Sequence, residues 1–203
     1  MELIASLEKT RIIPVLVLES VEEGVAMCEK LYANGLCAAE ITFRTTAAEG
    51  IIREVSRRHP DMLLGAGTVL NTTDLKRAID AGAKFAVAPG FNPRVVGAAR
   101  EAGFAFLPGV CTPSEVEQAM ELGCLALKFF PAEAAGGVSY LKSLIAPYRH
   151  LGVRFMPTGG VKPANVESYL QIPEVAAVGG TWLNKCDDET IRQAAEIASK
   201  YSR

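Results

Sequence analysis

Lys128 stands in the run LALKFFPAE, residues 125–133, with Leu125, Ala126, Leu127, Phe129 and Phe130 around it. Such a run reads as a buried strand, where an unpaired ammonium is costly. A desolvated lysine is also the kind that attacks carbonyl carbon as a neutral amine. A second polar set lies in AAEITFRT, where Glu40, Thr42 and Arg44 alternate with Ala39, Ile41 and Phe43. In a strand of period two the polar members share one face, and the apolar face suits a layer of helices. Glu40 then lies deep and Arg44 at the far end, roughly 13 Å along at about 3.3 Å per residue. An inward amine and an inward carboxylate admit two readings. One is a structural ion pair, a weak contributor to stability because desolvation offsets the attraction. The other, which fits better, is a nucleophile beside a proton carrier.

Smaller polar groups end other apolar runs: Thr68 in GAGT, Pro89 in KFAVAP, Thr158-Gly159-Gly160 in PTGG, and Gly179-Gly180-Thr181 in VGGTW. The two glycine pairs suit phosphate held by backbone N–H groups, and the glycines of GAGT would let a ligand approach the backbone. His59 and His150 each precede a strand, on the side away from these groups, so a histidine-built zinc site is not expected. The five cysteines form no CxxC pair and read as reduced thiols, with Cys28, Cys111 and Cys124 as packing residues.

The elements that must position these groups recur every twenty to thirty residues. RIIPVLVL, AAEITF, MLLGAGT, KFAVAP, FAFLPG, LALKFF, VRFMPT and VAAVGG read as eight strands. Helical patterns lie between them, several stopping on Gly and several starting at Ser20, Asn71 or Thr72, Pro113 or Pro163. The alternation predicts an α/β fold, a single compact (β/α)8 TIM barrel over residues 1–203, with ELIASLEKT as a short helix across its bottom. In that architecture function sits at the carboxyl ends of the strands.

The 203 residues carry 21 Lys and Arg against 23 Asp and Glu, with no basic block, so a nucleic-acid partner is not expected. No apolar run is long enough for a bilayer span, and MELIASLEKTR lacks the layout of a signal peptide. A cytoplasmic protein is expected.

EITFRT, GAGTVLN, KFFPAEAAGG, PTGG and VGGTWL, in this order along nearly the whole chain, resemble the 2-keto-3-deoxy-6-phosphogluconate (KDPG) and 4-hydroxy-2-oxoglutarate aldolases. The resemblance implies a metal- and cofactor-independent class I aldolase of the Entner–Doudoroff pathway, a homotrimer of (β/α)8 barrels. It would cleave KDPG to pyruvate and glyceraldehyde 3-phosphate, and 4-hydroxy-2-oxoglutarate to pyruvate and glyoxylate. It makes Lys128 the imine-forming residue, Glu40 the general acid/base, and Arg44 with Thr68 the holders of the pyruvate carboxylate. Thr158 is tied to selection among aldehydes, and Pro89, Gly159, Gly160, Gly179, Gly180 and Thr181 complete the substrate-binding set. The family pattern has Ser where this chain has Thr181, which bears on substrate breadth. Alternatives are the epimeric galactonate-derived substrate, an isomerase or epimerase in which Lys128 is only electrostatic, and a binding protein for a phosphorylated acid.

Overall fold

The computed structural model describes residues 2–203, a chain of alternating helices and parallel strands. Helix α1 (Glu2–Thr10) precedes β1 (Ile12–Leu16), α2 (Val21–Ala33), β2 (Ala38–Thr42), α3 (Ala48–Arg58), β3 (Leu63–Gly67), α4 (Thr72–Asp80), β4 (Phe85–Val87) and α5 (Pro93–Glu101). The second half holds β5 (Phe106–Leu107), β6 (Gly109–Val110), α6 (Pro113–Glu121), β7 (Ala126–Phe129), α7 (Gly137–Ile145), β8 (Arg154–Pro157), α8 (Val166–Leu170), β9 (Val178–Gly180) and α9 (Asp188–Tyr201). Short 3-10 turns follow α7 (Ala146–Leu151) and β9 (Thr181–Leu183). No helix among the described residues is long and apolar enough to cross a membrane.

Local chemistry explains most helix starts. The Ser20 hydroxyl accepts from the Glu23 N–H, the Asn71 side chain from the Asp74 N–H, and Thr112 forms a reciprocal capping box with Glu115. Pro93 and Pro113 occupy first turns, where a missing N–H is harmless. Pro163 does not start a helix. It lies in a turn, and α8 begins three residues later at Val166.

The expected eight-stranded TIM barrel is not what forms. The strands make two parallel sheets, one of six in the order β5-β4-β3-β2-β1-β9 and one of three in the order β6-β7-β8. The sheets part where proline interrupts a ladder. In FAFLPG the stretch 106–110 is split at Pro108, which has no N–H to donate. Phe106–Leu107 pairs with β4, while Gly109–Val110 pairs with β7. At the other seam β8 ends on Pro157, and only the isolated bridges Phe155↔Val175 and Thr158↔Gly179 cross from it toward β9. Sequence alternation predicted where strands lie; it carried no information on which ladders would close.

Strands of both sheets nevertheless share one interior. Ile13, Ala38, Leu63, Phe85, Val87, Leu107, Met156, Ala176 and Ala177 form a buried cluster, and Leu7 of α1 plugs it. A larger apolar layer, including Leu127, Phe129, Phe155, Leu141 and Tyr169, lies between the strands and the helices. Arg11 is fully buried between α1 and β1. It donates from Nη1 to the carbonyls of Val175 (2.8 Å) and Ala176 (2.6 Å), and from Nη2 to that of Leu170 (3.0 Å). Desolvation above all, with Arg203 nearby, lowers its pKa to about 10, so it stays charged at neutral pH. Arg11 thereby ties the end of α8 and the approach to β9, beside the open seam, to the start of β1. Arg11→Met keeps the apolar stem but orphans three buried carbonyls. It should lower unfolding free energy in urea by at least ~3 kcal/mol, given the usual penalty for each unsatisfied buried group.

Candidate active site

Glu40 lies in the middle of β2, paired in register with Val15 of β1 and Gly65 of β3. Lys128 lies in β7, in register with Gly109 of β6 and Met156 of β8. Leu127 and Phe129 turn outward into the helix-side layer, while Ala126 packs against the inner cluster. The alternation leaves Lys128 pointing inward, 5% exposed, and Glu40 pointing inward, 1% exposed. Lys128 Nζ donates to Glu40 Oε1 at 3.0 Å and Oε2 at 3.2 Å. The same Nζ lies 5.8 Å from the centroid of the Phe130 ring, which forms one wall beside the amine.

Room for this pair comes from the glycines of GAGT. A Cβ on Gly67 would lie 2.2 Å from Glu40 Oε1, and one on Gly65 would lie 2.3 Å from the Phe85 ring. These glycines were expected to admit a ligand to the backbone. Within the protein they make space for a carboxylate and an aromatic ring, because β3 neighbours β2 and β4.

Arg44, Thr68, Pro89, Thr158 and Thr181 sit just beyond the carboxyl ends of their strands, whereas Gly179 and Gly180 are the last two residues of β9. Arg44 is exposed in the turn after β2, with no hydrogen bond or ion pair to any described residue, whereas Thr42 donates its hydroxyl to the Leu16 carbonyl at 2.9 Å. Thr68 follows β3, half-buried and left-handed at φ 59°. A β-branched residue there is strained, a condition that persists only when surroundings enforce it. Pro89 is half-buried after β4. Thr158 is buried after β8, and Thr181 is exposed after β9. No hydrogen bond among described residues joins Arg44, Thr68 or Thr181 to the Lys128–Glu40 pair.

The glycines grouped for phosphate have tenants too. Gly179 leaves room for the Thr158 hydroxyl, 2.4 Å from where its Cβ would be, and Gly180 for the Trp182 ring. Gly159 abuts the Phe130 ring and Gly160 the Glu133 side chain. Sequence reading passed over Trp182, Glu133 and Tyr169, whose partners lie on other elements. For Phe130 the signal was present, since it shares the face of Lys128 two residues on.

The cysteines behave as packing residues. Burial raises the thiol pKa of Cys111 and Cys124, and pushes that of Cys28 up to about 12. His59 packs against Tyr32 with the rings tilted by 33° and their centroids 4.4 Å apart, and His150 is exposed before β8.

A primary amine hydrogen-bonded to a carboxylate, nearly dry and beside an aromatic wall, can attack a ketone and shuttle the protons that follow. Relatives with this architecture are known. The profile of the family described as "Aldolase: KDPG and KHG aldolase" matches residues 3–199. The 2-dehydro-3-deoxy-phosphogluconate aldolase of Haemophilus influenzae is 42% identical over 181 residues, covering 89% of this chain and 84% of that protein. A KDPG aldolase of Legionella pneumophila, crystallised with pyruvate captured at low pH as a covalent carbinolamine intermediate, is 33% identical with a TM-score of 0.86 over 98% of each chain. The 2-keto-3-deoxy-6-phosphogluconate aldolase of Zymomonas mobilis ZM4, solved with 3-phosphoglycerate, is 38% identical with a TM-score of 0.89, covering 98% of this chain and 96% of that one.

Gly67→Ala tests the space reserved for Glu40. Overpacking of this kind typically costs about 1–3 kcal/mol. Urea unfolding should show that loss, and turnover should fall as the carboxylate is displaced. Gly97→Ala, in α5 where a Cβ meets nothing within 4 Å, should instead raise stability slightly.

Proposed function

The chain belongs to the KDPG and KHG aldolase family, and from that premise we propose that Lys128 and Glu40 are the catalytic centre of its class I, Schiff-base chemistry. The protein is an aldehyde-lyase that cleaves KDPG to pyruvate and glyceraldehyde 3-phosphate. The observation that carries the residue assignment is the buried 3.0 Å contact between Lys128 Nζ and Glu40 Oε1.

An ammonium has no lone pair, so the first event is passage of a proton from Lys128 to Glu40 along that contact. The neutral amine adds to the C2 ketone, giving a carbinolamine. Glu40 returns a proton to the C2 hydroxyl, which leaves as water and yields the iminium. Glu40 then takes the C4 hydroxyl proton. The C3–C4 bonding pair flows into the iminium, releasing glyceraldehyde 3-phosphate and leaving an enamine. Protonation at C3 and hydrolysis of the imine free pyruvate and Lys128.

Arg44, exposed and unengaged within the protein, supplies a two-pronged grip for the pyruvate carboxylate that a lysine could not reproduce. The Thr68 hydroxyl, held by its strained backbone, accompanies it. Pro89, Thr158, Gly159, Gly160, Gly179, Gly180 and Thr181 border the aldehyde and phosphate end. The extra methyl of Thr181 narrows that end relative to Ser. Residues 1–203 form one aldolase domain that acts as a cytoplasmic homotrimer. Support for an assembly comes from a 28% identical domain, TM-score 0.84, in a protein cage designed by fusing symmetric oligomeric domains.

Borohydride reduction in the presence of pyruvate, followed by peptide mass mapping, should place the adduct on Lys128. An adduct confined to another lysine, such as the exposed Lys162, would sink the assignment.

Glu40→Gln keeps the shape but cannot accept and return a proton. We expect kcat to fall by roughly a hundred- to ten-thousand-fold, the usual effect of losing a general acid/base. Pyruvate should still be trapped on Lys128, more slowly, while exchange of its methyl protons with deuterated water falls with turnover. Wild-type exchange in this variant would assign the proton transfers to another group.

A further inference from the structure

Glu133 closes the LALKFFPAE run five residues after Lys128, and the chemistry above gives it no task. Its backbone N–H donates to the Gly159 carbonyl at 3.0 Å, beside that of Ala132, which donates to Thr158 at 2.8 Å. Its carboxylate Oε1 accepts the hydroxyl of Tyr169, a fully buried residue of α8. The side chain between these two ends lies against Gly160, where a Cβ would be 2.6 Å from both Cβ and Cγ of Glu133. On the far side of the loop, Asn165 donates from Nδ2 to the Gly160 carbonyl at 3.2 Å and accepts the Lys162 N–H at 2.8 Å.

The segment Thr158-Gly159-Gly160 is thus held between the loop that leaves β7 and the start of α8. Gly159 and Gly160 have left-handed backbones, at φ 98° and 82°, and no side chains of their own to fix them. Their neighbours must aim them. Lys128 and Glu40, by contrast, are each held mid-strand, with hydrogen-bonded neighbours on both sides. Burial, and then the bond to Glu133, raise the phenol pKa of Tyr169, so its hydroxyl remains a donor at neutral pH.

We infer that Glu133 is a positioning residue: through its bond to Tyr169 it sets where the Thr158–Gly160 loop stands relative to Lys128. It therefore governs the phosphorylated aldehyde half of the substrate and leaves the pyruvate half alone. This rests on the functional reading above, which gives that loop the aldehyde end.

The test compares wild type with Tyr169→Phe, Glu133→Ala and Glu133→Gln in three assays. These are kcat/KM for KDPG, kcat/KM for the unphosphorylated 4-hydroxy-2-oxoglutarate, and deuterium exchange of the pyruvate methyl protons, with thermal unfolding of each variant alongside. Loss of one charge-assisted hydrogen bond predicts about a tenfold fall in the KDPG to 4-hydroxy-2-oxoglutarate ratio for Tyr169→Phe and Glu133→Ala. Methyl exchange should stay at the wild-type rate. Glu133→Gln keeps an acceptor within reach of Tyr169 and should recover most of the ratio. Because Glu133 is exposed, its variants keep the test valid if Tyr169→Phe fails to fold. An unchanged ratio in Glu133→Ala would overturn the inference. So would an equal loss in all three assays, which would make the pair a general support of the fold. Wild-type protein inert in every assay would overturn the functional reading and the inference with it.

Discussion

Two opposite charges, 5% and 1% exposed and 3.0 Å apart, are the contact around which this protein is built. Burying such a pair contributes little to folding, because removing both ions from water offsets most of their attraction, and apolar replacements often do as well. The rest of the structure has to hold the pair where folding alone would not favour it. It does so by mounting each residue mid-strand, with hydrogen-bonded neighbours on either side. Each side chain then has a direction set by backbone pleat rather than by a loop.

The pair also joins the two sheets. Glu40 belongs to the six-stranded sheet and Lys128 to the three-stranded one. Their hydrogen bonds cross an interior whose wall is split at Pro108 on one side and spanned only by isolated bridges near Pro157 on the other. Arg11 binds three carbonyls around the start of β9, so a buried cation ties the large sheet to the approach of that seam. The amine–carboxylate contact therefore reports on the relative placement of the two sheets.

Space at the site is made by omission. Gly67 has no side chain where the Glu40 carboxylate lies, Gly179 none where the Thr158 hydroxyl lies, and Gly160 none where Glu133 lies. Each absence lets a polar group from another element approach closer than a Cβ would permit. The glycine loop that results is hydrogen-bonded from outside, by Glu133 and Asn165.

Much of this was legible in the residues themselves. Alternation with period two is a local property of the extended chain, so AAEITF and LALKFF already put Glu40 and Lys128 on the faces opposite their apolar partners. Capping at Ser20 and Asn71 was readable for the same reason, since donor and acceptor lie three residues apart. Motif order was enough to indicate the family. Other features depend on which strands and loops become neighbours, which short-range pattern does not encode. The proline breaks that leave two sheets, the Glu40 carboxylate over Gly67, and the Tyr169 hydroxyl on Glu133 thirty-six residues away in sequence are all of this kind. Only the folded chain decides them, because each is a contact between groups whose separation is set by packing rather than by the repeat of helix or strand.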